Sequence, residues 1–91
     1  MLLRTSPNAP RLRLGLGMAR VGKGDTKAAI DVFDQLLETN PGAPVYYGRA
    51  IALHKAGQQM ASLRDIDQAI KLDPRNSQYT QMRAIIAAPQ K

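Results

Sequence analysis

Leu2-Leu3-Arg4-Thr5-Ser6-Pro7-Asn8-Ala9-Pro10 returns 34 positions later as Leu36-Leu37-Glu38-Thr39-Asn40-Pro41-Gly42-Ala43-Pro44, identical at six of nine sites. Pro74 follows Pro41 after almost the same interval. A fixed period in the range of about 20–50 residues marks a stack of like units, each covering its apolar face with its neighbours. The echo also places Leu2-Leu3 where Leu36-Leu37 sit, at the tail of a helix. Residues 1–6 are therefore expected to be the remnant of a preceding helix or a loose tail, and the chain to be a piece of a longer array.

The 91 residues have room for one small domain. At 44% hydrophobic and 4% aromatic, with no Trp, the core must be built from Leu, Ile, Met and Ala. That composition suits paired helices better than a sandwich of strands. There is no Cys, which excludes disulfides, thiol catalysis and Cys-based metal sites. No apolar run approaches the roughly 20 residues of a membrane span. No motif specifies a compartment, and the cytoplasm is favoured. Net charge is +6 and unevenly spread. Residues 1–24 hold Arg4, Arg11, Arg13, Arg20 and Lys23 and no acid, whereas residues 25–41 hold Asp25, Asp31, Asp34 and Glu38 against Lys27. Charge that alternates with the half-repeat predicts one basic face and one more acidic face.

Five helices follow from periodicity and punctuation. The first spans about 10–22, with Pro10 in the first turn, where its missing N–H has no partner to lose. Gly24-Asp25 breaks it, and Asp25 or Thr26 can cap the next. The second, about 26–39, gathers Ala29, Ile30, Phe33, Leu36 and Leu37 on one stripe. Asn40-Pro41-Gly42 stops it. The third spans about 44–56 and ends at Gly57. The fourth, about 59–72, carries Met60, Leu63, Ile66, Ala69, Ile70 and Leu72, with Met60 expected in the core. The fifth starts near Asn76 or Ser77 and fades by Pro89. Residues 11–18 alternate Arg and Leu with period two, the pattern of a half-buried strand. The repeat register favours helix instead, with Leu12, Leu16 and Ala19 on one edge and Leu14, Met18 and Val21 on the other.

These residues resemble the tetratricopeptide repeat (TPR), a 34-residue helix–turn–helix unit. The first copy shows Leu16-Gly17, Gly24, Ala29, Phe33 and Pro41. The second shows Tyr46, Arg49-Ala50, Leu53, Gly57, Ser62, Ile66, Ala69 and Pro74. Gly17 to Ala29 and Ala50 to Ser62 are both 12 apart, and Phe33 to Pro41 and Ile66 to Pro74 are both 8 apart. Arg83-Ala84-Ile85 repeats Arg49-Ala50-Ile51. Arg13, Arg20 and Lys23 depart from the family's aromatic, Tyr and Leu, which weakens the expected packing of the first unit. The Leu-Gly-Leu-Gly-Met-Ala run and the Gly-Asp turn are similar to bacterial repeat proteins of pilus and secretion assembly. The resemblance implies an all-α, right-handed α-α superhelix, a solenoid of about two and a half repeats. Its units would be residues 7–43, 44–76 and 77–91, the last being a first helix of a third repeat or a capping helix.

The resemblance further implies that the first helix of each unit lines a concave peptide-binding groove. That assigns Leu14, Met18, Tyr47, Ile51, Gln81, Met82 and Ile85 to its floor and Arg11, His54, Lys55 and Gln78 to its rim. Gly15 and Gly48 would leave room for a ligand backbone. The family's Lys, Asn and Arg clamp for a chaperone's C-terminal carboxylate reads Leu14, Met18, Gly48, Gln78 and Met82 here, so that ligand is not expected.

Other motifs carry less. Gly17-x4-Gly22-Lys23-Gly24 approaches a phosphate loop, but Gly replaces the Ser or Thr that holds Mg²⁺ and no strand precedes it. Gly15-Leu16-Gly17 starts a dinucleotide fingerprint that fails at Arg20. His54 has no carboxylate within a helical turn to make it a general base. Asp31/Asp34 and Asp65/Asp67 read as solvated helix faces, with 31/34 at most a weak cation site. Met18 and Met82 offer an adaptable surface. The expectation is a non-catalytic module with no cofactor or metal, holding an apolar segment with acidic flanks. The alternatives are self-association into a homodimer and, on net charge, nucleic-acid binding.

Overall fold

The computed structural model describes residues 10–89 as five helices: α1 (Pro10–Gly22), α2 (Thr26–Thr39), α3 (Ala43–Lys55), α4 (Gln59–Leu72) and α5 (Ser77–Ala87). The expected remnant at residues 1–6 lies outside the described residues. Every helix lies where punctuation and period predict, and residues 11–18 are helical rather than extended. The fold is all-α among the described residues.

Turn chemistry explains the register. Gly24 and Gly57 both adopt φ of 83°, a conformation that costs a side chain but not glycine. Each ends its helix in the same paired fashion. Gly24 N–H donates to the Val21 carbonyl and Asp25 N–H to Arg20, while Gly57 N–H donates to His54 and Gln58 N–H to Leu53. These are Schellman turns, which satisfy the last free carbonyls of a helix. Asp25 then caps α2, its carboxylate accepting from Ala28 N–H at 3.4 Å. Asn76 caps α5, accepting from Gln78 N–H at 2.9 Å. Pro44 sits in the first turn of α3.

The helices stack in sequence, α1 on α2, α2 on α3, α3 on α4 and α4 on α5. In addition α1 touches α3 and α3 touches α5, while α2 and α4 do not meet. The odd-numbered helices therefore form one layer and the even-numbered ones another, in a slab of 54 × 29 × 19 Å. In the α1–α3–α5 layer successive helices touch, which marks the side that the repeat resemblance implies to be concave. Two clusters fill the slab. Val21, Ala29, Phe33, Leu36, Val45 and Ala52 form the first, and Ala43, Ala50, Ile66, Ala69, Tyr79 and Ile86 the second.

Phe33 is the keystone of the first cluster. A Cβ placed on Gly17 would lie 2.7 Å from its ring, and one on Gly48 2.6 Å. Gly48 therefore admits Phe33, not a ligand backbone; of the two glycines expected to leave room, Gly15 alone faces open space. Met60 departs from expectation too. It is 72% exposed, and Leu72 is also exposed. Met60 shares a helical face with Arg64, Asp67 and Lys71, all exposed, so the heptad spacing that groups them outweighs hydrophobicity. Asp65 is the converse case. Expected in water, it is buried, because Arg49 binds it through two nitrogens at 2.6 and 2.9 Å.

Candidate functional site

The predicted groove residues all stand on α1, α3 and α5, at different depths. Leu14, Met18 and Ile51 are half-buried and pack on the first cluster, and Tyr47 and Met82 on the second. Gln81 and Ile85 are exposed, as are Arg11, Lys55 and Gln78, while His54 is half-buried. The half-buried side chains thus form part of the core wall. The Tyr47 ring lies 4.9 Å from that of Tyr79, tilted by 40°. Tyr79 is a residue the sequence pattern did not single out. It is buried, and burial raises its phenol above the ordinary value of 10.0, helped by the charge of Asp73.

Electrostatics divide the layers. No carboxylate stands on α1, α3 or α5; the acids of the described helices lie on α2 and α4. Several arginines of α1, α3 and α5 turn their heads toward those acids. Arg13 donates to Gln35. Arg49 bridges α2, α3 and α4, donating to Asp34 at 2.8 Å as well as to Asp65. Those bonds, chiefly the one to Asp65, raise its guanidinium above the usual range and keep it charged. Arg83, one repeat further on, echoes the Arg49–Asp34 pair with Asp67 at 2.6 Å, but in water. Arg20 closes the α1–α2 turn on Asp25 at 3.5 Å. Arg11 and Lys55, the cations expected at the rim, are exposed.

Among the described residues no three His, Cys, Asp or Glu side chains gather where they could share a metal ion. Asp34 of the supposed cation pair is held by Arg49. Two surface clefts exist, of about 510 and 320 Å³. The first is lined by Arg13, Gln35, Glu38, Thr39 and Asn40, and the second contains Asp34, Arg49, Arg64 and Asp65. Neither includes a predicted groove residue.

Comparison with known proteins agrees with the helical-repeat reading without extending it to a whole protein. No protein-family profile and no solved structure matches the chain. Nothing found supports the bacterial origin expected from the Leu-Gly-Leu-Gly-Met-Ala run. The chain is similar to the small glutamine-rich tetratricopeptide repeat-containing protein 2 of Mycosarcoma maydis, with 40% identity over 52 residues. That stretch covers 56% of this chain and 15% of the relative, so the chain matches only a small part of a much longer protein.

Proposed function

We propose that this chain is a non-catalytic protein-interaction module whose α1–α3–α5 face holds an apolar segment with acidic flanks. The division into units 7–43, 44–76 and 77–91 belongs to the same reading. One observation supports it: α1, α3 and α5 carry no carboxylate, while Arg11 on α1 and Lys55 on α3 are exposed. A field of one sign steers oppositely charged partners and rejects like ones. Leu14, Met18, Tyr47, Ile51 and Met82 supply an apolar floor between them, and Gln78, Gln81 and Ile85 extend it along α5. The TPR segment of the relative is consistent with a protein partner.

The same positive field would also attract nucleic acid, and the aromatic residues argue against that partner. Binding of single strands relies on exposed rings on which bases stack. Here Phe33 and Tyr79 are buried, Tyr47 packs on Tyr79, and Tyr46 packs on the second cluster.

Selection from a displayed library of random peptides against the full chain tests the proposal. Enriched sequences should combine Leu or Phe with flanking Asp or Glu. The enriched peptide should perturb amide resonances of α1, α3 and α5, and Arg11→Glu/Lys55→Glu should weaken it at least tenfold. These rim residues are exposed, so the double variant folds. Peptides without acids, or binding unmoved by the double variant, would sink the reading.

A further inference from the structure

Between α2 and α4, which do not meet, lies the smaller of the two clefts, of about 320 Å³. Ile30 and Asp34 line it from α2, Ala61 and Arg64 from α4, and Arg49 from α3. Arg49 makes three bonds there. Its Nη1 donates to Asp34 at 2.8 Å, while Nε and Nη2 donate to Asp65 at 2.6 and 2.9 Å. The two carboxylates are held unequally. Asp65 is buried, and a buried acid stripped of its cation costs several kcal/mol, as about 3–5 in comparable pairs. The Asp34 side chain is 49% exposed, so water replaces its cation at little cost. Asp34 is therefore the releasable partner, and Arg49 stays satisfied by Asp65 when it leaves. A second cation waits at the same cleft. Arg64 is exposed and has no ion-pair partner among the described residues. Asp67, one turn further along α4, is already held by Arg83 at 2.6 Å. Asp34 thus stands between two guanidinium groups and is bonded to one.

We propose that this cleft is a latch with two settings. Asp34 bonds Arg49 in the one described above and Arg64 in the other. Arg64 belongs to α4, so the exchange draws α4 toward α2 and closes the cleft. On the opposite side α1 touches α3 and α3 touches α5 in either setting. Closure therefore tilts one helix pair against the next about those contacts. Both pairs lie at the surface, where ion pairs contribute little, so the two settings are populated within about tenfold of each other. Such a balance is what a small signal can tip, whether added salt or a charged group entering the cleft. The latch stands whether or not the α1–α3–α5 face binds a partner.

The chain has no Cys, so nitroxide labels can be confined to Lys27→Cys/Met60→Cys. These are exposed, equivalent positions of α2 and α4, one repeat apart, and their separation reports the tilt. Double electron–electron resonance on the full chain should show two distances. Arg64→Gln should remove the shorter. Arg49→Met/Asp65→Leu leaves Arg64 as the one cation of the cleft and should remove the longer. Asp34→Asn should give a single broad distribution that ignores salt, whereas that of the native chain should change between low and molar salt as screening weakens both bonds. A single distance unmoved by Arg64→Gln overturns the proposal. So does a double variant whose distance is no shorter than that of the native chain while its circular dichroism is native. If that double variant does not fold, Arg64→Gln and Asp34→Asn decide alone, since both residues are exposed.

Discussion

Phe33 and Ile66 occupy the same place in successive repeats, and both are fully buried. Their surroundings solve one packing problem in two ways. Phe33 is flanked by Gly17 and Gly48, which have no side chains to resist it. The positions flanking Ile66 are Ala50 and Met82, larger groups around a smaller one. Volume moves from the centre to the walls while the total needed between three helices is kept, as dense interiors demand. Polar support differs as well. In the second unit Ser62 Oγ donates to the Ala50 carbonyl at 2.6 Å and Arg49 ties α3 to α4 through Asp65. In the first unit Ala29 and Val32 stand at the Ser62 and Asp65 positions, so neither of those bonds has a counterpart, and α1 and α2 are joined by polar side chains at the exposed Arg13–Gln35 and Arg20–Asp25 pairs. One repeat frame thus accepts either a ring in a glycine slot or an aliphatic side chain reinforced by hydrogen bonds.

The largest expected effect breaks the first solution. Phe33→Ala should cost about 3–5 kcal/mol, a large share of the roughly 5–15 kcal/mol available to a small domain, because glycine walls cannot close on the void. Ile66→Ala should cost less, since Met82 is flexible enough to fill in; urea midpoints followed by circular dichroism rank the two. Next comes the polar support. Arg49→Met strands the buried Asp65 and should cost about 3 kcal/mol, most of it recovered by adding Asp65→Leu. Arg83→Met, which breaks the solvated counterpart, should leave the midpoint unchanged.

A direct exchange sharpens the comparison further. Gly17→Ala/Phe33→Ile/Gly48→Met installs the second unit's set in the first. The triple variant should be more stable than its parts predict by about 2 kcal/mol; additive effects would mean that the two sites are not equivalent. The smallest effect is alkaline. Tyr79 ionises in the unfolded chain near 10.0 but later in the fold. Its contribution is therefore whole below that value and declines as pH rises through the raised one. As pH is raised through the ordinary phenol range, the urea midpoint should fall less in Tyr79→Phe than in the native protein.

Much of the architecture was legible because it rests on local chemistry. Gly24, Gly57, Pro10, Pro44 and Asp25 act within a few residues of themselves, so spacing alone locates all five helices. What spacing could not reveal depends on neighbours. Asp65 reads as surface until Arg49 reaches it from another helix. Gly48 reads as a ligand notch until Phe33 fills it. Met60 was misplaced for a different reason: its angular position beside Arg64, Asp67 and Lys71 was available, and hydrophobicity was weighed above it. That Leu14, Met18, Ile51, Tyr47 and Met82 pack against the core emerged only once the two clusters were in place, and Tyr79 carried no signal beyond its ring.

Phe33 is fully buried, and its ring wedges between α1 and α3 at the two glycines. Those helices also carry Leu14, Met18, Tyr47 and Ile51, the floor of the docking face proposed above. The diameter of one hidden ring therefore sets how far apart Leu14 and Met18 stand from Tyr47 and Ile51. A smaller residue at position 33 would narrow that gap and change which side chains fit between the two helices without touching any of them. Selectivity at such a surface can be adjusted from behind, by a residue that no ligand meets.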